Sequence, residues 1–250
     1  MVTRAAPQSE ALCELLVADG AVPLPVPVMR VQPLLGDRGL AGLRGRIAAG
    51  EFDDLVFTSA NAVELLLSLG PLAQAASRVY AIGPGTAAAV RQFGWSVEPL
   101  PAGFIAESLA SRIGERAVAG RRVLLPRAGG ARDVLPRQLQ AQGAQVEVVE
   151  LYQMVPDQAS QAPLRALIRA GGVDCATFTS GSSVRCFVEL AGALRPASSC
   201  TIACIGPITA AALRRQGMHP QVVARTHSME GLVSALRSWF GGLPENGERT

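Results

Sequence analysis

The 250-residue chain contains no lysine, so all 23 of its basic residues are arginine. This absence excludes a lysine Schiff base, a pyridoxal-phosphate lysine and the lysine of a Walker A phosphate loop. The chain has only 2 histidines, and none of its 5 cysteines form a CxxC pair. Few residues are therefore present that could form a metal site or a histidine-based catalytic triad. Neither kind of site is therefore expected.

The chain is also poor in aromatic residues (4%) and carries a formal charge of only +3, with no concentrated basic stripe. Nucleic acid is therefore not expected as a partner, whereas a modest excess of arginine suits an anionic small molecule. No window reaches the ~18 uninterrupted apolar residues of a membrane span. The N-terminal "MVTRAAPQSE" lacks a basic stretch followed by an apolar run. We expect a cytoplasmic protein without a membrane partner.

What the chain does contain is an internal duplication. The segment "VYAIGPGTAAAV" at 79–90 recurs 123 residues later as "IACIGPITAAAL" at 202–213. With a two-residue slip, "FTSANAV" similarly matches "FTSGSSV". In each copy, short apolar runs alternate with longer amphipathic stretches, which is typical of βα units around a parallel sheet. The simplest architecture is two five-stranded, doubly wound sheets in tandem, with binding loops at the carboxyl ends of their strands.

The periodicity predicts individual strands and helices in both copies. For the first copy the predicted strands lie near 2–4, 21–28, 54–58, 78–82 and 95–98. Its predicted helices lie at 8–19, 38–50, 61–69, 85–94 and 105–118. For the second copy the predicted strands lie near 122–126, 145–151, 174–179, 201–205 and 221–224.

Two pairs of loops place small polar residues where a strand ends and a helix begins. Each Gly-Pro turn offers free backbone N–H groups at a helix start, which can hold a carboxylate or phosphate, and Thr86 and Thr209 add hydroxyls there. The "FTSANAV" and "FTSGSSV" loops add several small polar side chains in succession. Helix capping explains part of both patterns, because Ser, Thr and Asn are preferred at helix starts. Ligand binding and capping both stay open.

Three further residues are candidates for chemistry or binding. Arg4 and Arg127 each follow a predicted strand, where an arginine can bind a carboxylate bidentately or simply solvate the edge of the sheet. Tyr152 precedes a proline at an apparent boundary between copies. Its phenol can serve as a packing group or as a weak acid in a dry cleft.

Together these segments resemble the uroporphyrinogen-III synthase family. The resemblance is carried by "FTSANAVELLL", "LLPRAGGARDVLPRQLQAQGAQVEVVELYQMVP", "FTSGSSVRCFVEL" and "CIGPITAAALRRQG", in the family's order. It implies an α/β enzyme with two flavodoxin-like, doubly wound parallel-sheet domains, joined by a two-stranded linker with a cleft between them. Residues 1–33 with 156–250 would form one lobe and 34–155 the other, and the protein would be a monomer.

The resemblance also implies a reaction and a set of site residues. The family dehydrates and cyclises hydroxymethylbilane, a linear tetrapyrrole polycarboxylate, with inversion of the last pyrrole ring through a spiro intermediate, and it uses no cofactor or metal. Tyr152 matches the family's tyrosine in the linker and is the candidate acid. The implied substrate-binding residues are Thr209, Gly206, Ser180, Ser182, Thr86, Ser59, Asn61, Arg4 and Arg127. Ile208 departs from the pattern, because some members have a second hydroxyl residue there.

Two other interpretations compete with this one. A non-catalytic, two-lobed small-molecule binder or sensor with the same fold would have no need of Tyr152. A nucleotide-binding enzyme would use "GPGT" for phosphate, but the chain has neither a GxGxxG nor a Walker pattern.

Overall fold

The computed structural model describes residues 1–74, 78–99 and 118–241, and in these residues the chain is an α/β protein with parallel sheets. It divides into two compact units. One unit, here called unit A, comprises Met1–Arg30 and the chain from Met154 onward, and the other, unit B, comprises Val31–Gln153.

The helices and strands alternate along most of the described chain. The helices are α1 (Ala6–Ala18), α2 (Asp37–Ala48), α3 (Ala60–Leu67), α4 (Pro84–Gln92), α5 (Val134–Ala141), α6 (Gln161–Ala170), α7 (Gly181–Ala191), α8 (Pro207–Arg215) and α9 (Met229–Gly241), with a short 3₁₀ turn at Gln158–Ser160. The strands are β1 (Met29–Pro33), β2 (Asp54–Phe57), β3 (Arg78–Ala81), β4 (Arg122–Ala128), β5 (Gln145–Pro156), β6 (Cys175–Phe178), β7 (Thr201–Cys204) and β8 (Val222–Val223).

Unit B is built on a five-stranded sheet with the order β1-β5-β4-β2-β3. Strand β2 pairs in parallel with β3 and β4, and β4 pairs in parallel with β5. All four residues of β2 are buried, which is typical of a strand covered on both faces. The chain passes between the units within β1 and within β5.

Unit A is built on a three-stranded parallel sheet with the order β6-β7-β8. The first strand of the chain is reduced to Val2, which bridges Thr177 of β6 on one side and Pro25 on the other. Helix α1 packs against α9, and α7 packs against α6 and α8. A large apolar cluster, centred on Phe178 and Phe187 in edge-to-face contact, forms the core around α7.

The expectation of two sheets in tandem is wrong, because in each unit residues of one copy pair with residues of the other. Strands β4 and β5 come from the second copy, yet β4 pairs with β2 of the first copy. Conversely, Val2 of the first copy bridges Thr177 of the second. Since the copies carry equivalent strands, such an exchange preserves parallel pairing.

The strand predicted at 21–28 does not form, and the reason lies in its prolines. Every second residue from 23 to 27 is a proline (Pro23, Pro25 and Pro27), and proline has no backbone N–H. Only every second N–H of the segment is therefore available for hydrogen bonds to a neighbouring strand. The N–H groups of Val26 and Val28 donate to the carbonyl oxygens of Val2 and Thr3 at 2.9 and 3.3 Å. The segment runs beside Val2 as an edge with a single bridge.

Two other predicted elements of the first copy are not confirmed. One does not form, and the other lies almost entirely outside the described residues. Residues 95–98 form no strand, although the Glu98 N–H donates to the Val79 carbonyl oxygen at 2.8 Å. The helix predicted at 105–118 lies outside the described residues, except for residue 118, which is not helical. The remaining predicted helices of the first copy each begin and end within two residues of α1 to α4.

Candidate functional site

The carboxyl edge of the sheet in unit B carries Ser59, two residues after the end of β2. Ser59 has extended backbone angles and is the N-cap of α3, because its Oγ accepts a hydrogen bond from the Asn61 N–H at 3.1 Å. Serine at this position satisfies one of the free donors of a helix start. The capping expected from the sequence is therefore real, and it also fixes the position of the Ser59 hydroxyl.

Tyr152 lies beside this cap although it is 93 residues away in sequence. Its hydroxyl is 2.6 Å from Ser59 Oγ, and the residue is only 3% exposed. The two residues meet because β2 and β5 both flank β4 in the sheet order. The structure thus brings Tyr152, Ser59 and Asn61 together at one edge of the sheet.

The pairing of β5 with β4 shifts by one residue just before Tyr152, as at a β-bulge. Arg127 of β4 faces Glu150, but the next residue, Ala128, faces Tyr152, so Leu151 is the extra residue. Bulges commonly redirect side chains next to active sites. Here the shift places Tyr152 opposite Ala128 at the end of β4, and the Tyr152 hydroxyl lies 2.6 Å from Ser59 Oγ.

Arg127 is buried at the end of β4 and bonds to the loop that follows. Its Nη2 donates to Asp133 Oδ1 at 2.7 Å, and its Nη1 donates to the Arg132 carbonyl oxygen at 3.2 Å. Its Nε has no partner in the described residues. The same loop returns to β5, since the Gly129 N–H donates to the Tyr152 carbonyl oxygen at 2.7 Å. Arg127 thus holds the loop that supports the Tyr152 backbone.

Thr86 lies at the same edge, in the first turn of α4. The helix begins after Gly83, whose φ of 82° favours glycine, and Pro84 occupies the first helical turn. Among the described residues, no side chain caps this helix. Thr86 is 7% exposed, so its hydroxyl lies close beneath an uncapped helix start.

In unit A, Ser180 ends the loop after β6 and is the N-cap of α7. Its Oγ accepts from the Ser183 N–H at 3.1 Å, and Ser183 Oγ accepts in return from the Ser180 N–H at 3.3 Å. This reciprocal arrangement is a capping box. Ser182 is half-buried in the first turn. Both candidate serines thus surround the start of α7.

Gly206 and Thr209 lie at the start of α8, after β7. Gly206 has an extended φ of 170°, so its backbone is not strained, but a Cβ there would come within 2.8 Å of His227 Cδ2. The glycine therefore allows His227 to approach the helix start. Thr209 is 4% exposed, whereas Ile208 is 71% exposed. His227 is a further candidate that lies outside the repeated motifs, and its position in the loop after β8 is the sequence signal that points to it.

Arg4 follows Val2 at the carboxyl end of the first strand. Its Nη1 lies 3.1 Å from Met229 Sδ at the start of α9, and its Nε has no partner in the described residues. Burial lowers the pKa of the Arg4 guanidinium, although arginine retains its charge at neutral pH. Arg4, Ser180, Gly206 and His227 therefore follow four neighbouring parallel strand ends in one unit.

Two other kinds of site are not found in the described residues. No three His, Cys, Asp or Glu side chains lie together there as a metal site. Within 1–74, 78–99 and 118–241, no helix is long and apolar enough to cross a membrane.

The fold and the candidate residues define a class of protein. It is an α/β protein that has hydroxyls, arginines and helix starts at the carboxyl ends of its parallel strands. Small-molecule binding enzymes of this architecture have the same arrangement. The family model described as uroporphyrinogen-III synthase HemD matches residues 10–234. The chain belongs to the uroporphyrinogen-III synthase family.

Curated relatives agree with this membership. The chain is 31% identical to the uroporphyrinogen-III synthase of Synechococcus elongatus, over 96% of this chain and 94% of the relative. It is 34% identical to a putative uroporphyrinogen-III synthase of Methanothermobacter thermautotrophicus, over 77% of this chain and 80% of the relative. The family is one of lyases in porphyrin biosynthesis, and these relatives favour an enzyme over the alternative of a non-catalytic binder.

Solved structures agree at the level of the fold. A mutant uroporphyrinogen III synthase from the extremely thermophilic bacterium Thermus thermophilus superposes with a TM-score of 0.59 at 21% identity, covering 96% of both chains. The uroporphyrinogen-III synthetase of Helicobacter pylori superposes with a TM-score of 0.63 at 20% identity, covering 87% of this chain and 95% of that one.

Proposed function

We propose that this chain converts hydroxymethylbilane into uroporphyrinogen III, losing water and inverting the last pyrrole ring. The observation that carries the proposal is the buried Tyr152 phenol, held 2.6 Å from Ser59 Oγ at the carboxyl edge of a parallel sheet. A phenol in this position is a weak acid shielded from bulk water. Loss of a hydroxyl group from the substrate needs an acid of that kind.

The reaction starts when the pyrrole nitrogen pushes out the hydroxyl group of the terminal hydroxymethyl carbon. Tyr152 gives its proton to the departing oxygen, which leaves as water, and an azafulvene cation remains. The cation attacks the substituted carbon of the last ring to give a spiro intermediate, which fragments and recloses with that ring inverted. Because the unassisted ring closes without inversion, the enzyme supplies mainly conformation.

Substrate carboxylates bind at the helix starts and strand ends of each unit. In unit B the binding groups are the α4 start with Thr86, the α3 start with Asn61, and Arg127. In unit A they are the α7 start, the α8 start and Arg4. Backbone N–H groups at helix starts and hydroxyls suit carboxylates without requiring a metal. The unit A residues are Arg4, Ser180, Ser182, Gly206 and Thr209.

The proposal also includes the domain arrangement, oligomeric state and location that the sequence predicts. The units correspond to flavodoxin-like lobes, residues 1–33 with 156–250 and residues 34–155, joined by a two-stranded linker. The enzyme works as a cytoplasmic monomer without cofactor, nucleic acid or membrane.

The test is a product analysis. Purified protein is given freshly prepared hydroxymethylbilane, and the oxidised products are separated into isomers I and III. Isomer III is expected, and it should decrease when Tyr152 is replaced by phenylalanine. A product containing only isomer I, as forms without protein, contradicts the proposal. Unchanged turnover of Tyr152→Phe contradicts the acid role alone.

A further inference from the structure

The hydrogen bond between Ser59 and Tyr152 leaves a question about its donor, since either hydroxyl can give the hydrogen. Ser59 Oγ already accepts from the Asn61 N–H, so one of its two lone pairs is used. If Tyr152 were the donor, the hydrogen of Ser59 would have no acceptor in the described residues. The Ser59 side chain is half-buried, so water can accept that hydrogen. If Ser59 is the donor, the hydrogen without an acceptor in the described residues is instead the phenolic hydrogen of Tyr152, which is then available to a ligand.

We propose that Ser59 is a positioning residue that donates to Tyr152 Oη and directs the phenolic proton toward the substrate. This inference rests on the proposed function and adds to it a role for Ser59 other than contact with substrate. When the proton of Tyr152 passes to the leaving hydroxyl group, the C–O bond breaks and water departs. The phenolate keeps the electron pair of its O–H bond, and the Ser59 hydroxyl stabilises that charge by its hydrogen bond. The phenol is restored by the proton that ring closure releases.

The duplication supports a role for Ser59 beyond capping. Ser180 is its counterpart in the other copy, and it caps α7 completely with the help of Ser183 alone. The residue equivalent to Tyr152 in the first copy, by the shift of 123, is Met29, which is buried in the apolar core of unit A. A helix cap in this fold therefore needs no phenol beside it.

Both residues of the pair are anchored by backbone groups, Ser59 at its Oγ and Tyr152 at its main-chain carbonyl oxygen. The Asn61 N–H fixes Ser59 Oγ at 3.1 Å, and the Gly129 N–H fixes the Tyr152 carbonyl oxygen at 2.7 Å. The register shift at Leu151 places Tyr152 opposite Ala128 in the pairing with β4. Because the two hydroxyls lie on separately anchored segments, their short contact is a consequence of the fold and is present before substrate binds.

The kinetic test compares Ser59→Ala, Ser59→Thr, Tyr152→Phe and the double variant Ser59→Ala with Tyr152→Phe. Loss of a hydrogen bond to a developing charge should lower kcat for isomer III roughly 10- to 100-fold in Ser59→Ala. KM should change by less than about twofold if the substrate does not touch Ser59. Ser59→Thr keeps a hydroxyl and should recover most of kcat. The double variant should equal Tyr152→Phe, since Ser59 acts through the phenol.

A spectroscopic test does not depend on activity. The chain has only 2 tyrosines, so protein grown with 3-fluorotyrosine gives two ¹⁹F resonances, and Tyr80→Phe assigns them. The Tyr152 resonance should move in Ser59→Ala and return in Ser59→Thr. Ser180→Ala removes the equivalent cap in the other unit and should leave that resonance in place.

Two results would overturn the inference. An unmoved Tyr152 resonance in Ser59→Ala shows that the hydrogen bond does not form in solution. A raised KM with unchanged kcat shows that Ser59 binds substrate and does not act through the phenol. If the protein forms no isomer III at all, the proposed function fails, but the ¹⁹F result still decides whether Ser59 and Tyr152 are paired.

Discussion

Replacing Asp54 by asparagine should destabilise unit B by about 3 kcal/mol. Asp54 is completely buried at the start of β2, and Arg78 and Arg121 each bind both of its oxygens, with the shortest distances at 2.6 Å. Breaking a buried ion pair by removing one partner costs about 3–5 kcal/mol. The two arginine side chains remain 21% and 31% exposed, so water can partly solvate them, which favours the low end of that range.

The measurement is chemical and thermal unfolding of the wild type and of Asp54→Asn. For a protein of this size, about 3 kcal/mol corresponds to a decrease in Tm of roughly 6–12 °C. Asp19→Asn is a suitable control, because it breaks an exposed pair with Arg237 and should have a much smaller effect. A variant as stable as the wild type would refute the reasoning.

The pH dependence gives a second check on the same residue. Burial raises the pKa of the Asp54 carboxyl, but the hydrogen bonds from Arg78 and Arg121 outweigh burial and hold that pKa below its ordinary value. The stabilisation is therefore present above the unfolded value of about 4 and is lost as pH falls through the lower folded value. The difference in unfolding free energy between wild type and variant should stay constant from about pH 5 to 7 and decrease below about pH 4. A difference that stays constant into strong acid would show that the charge is not its cause.

Three further predictions concern unit A. Gly206→Ala places a Cβ within 2.8 Å of the His227 ring, so KM should rise. A second change, His227→Gly, should restore the wild-type KM. If KM stays high in the double variant, the His227 ring is not the cause of the increase. Thr209→Ala should raise KM roughly 10- to 100-fold if its hydroxyl binds a substrate carboxylate, whereas Thr209→Ser should stay near the wild type. Burial raises the pKa of the Cys175 thiol to about 12, so at about pH 8 iodoacetamide should label Cys13 before Cys175, as mass spectrometry of the folded protein would show.

The sequence predicted the local elements of the fold better than their arrangement. Alternation of apolar runs with amphipathic stretches correctly indicated β2, β3, β6 and β7, because each is a short run buried on both faces. The order of the strands could not be read from the same pattern, since equivalent strands of the two copies satisfy the same pairings. The segment at 21–28 has the apolar residues of a strand, but its alternating prolines remove donors, so the strand predicted there does not form.

For the candidate site, the sequence identified individual residues but not their contacts. Ser59 was recognisable from the cap pattern, and Tyr152 from the family resemblance. Their hydrogen bond depends on a strand order and on a bulge at Leu151, neither of which leaves a signal in a single sequence. Their substrate contacts, like those of the other candidates, stay predictions.

The two copies of the duplication share their helix caps but differ at the position of the phenol. Each copy keeps a serine cap at a strand end and a Gly-Pro helix start, and helix starts in general are suited to carboxylates. Only one copy has a phenol beside its serine, because Tyr152 corresponds to the buried Met29 in the other. If the phenol served only to fill space, an apolar side chain would serve equally well, as Met29 does in unit A. A buried hydroxyl instead needs a partner, and Ser59 supplies it. The divergence between the copies is therefore expected to separate the roles: carboxylate binding in both units, and proton transfer in unit B alone.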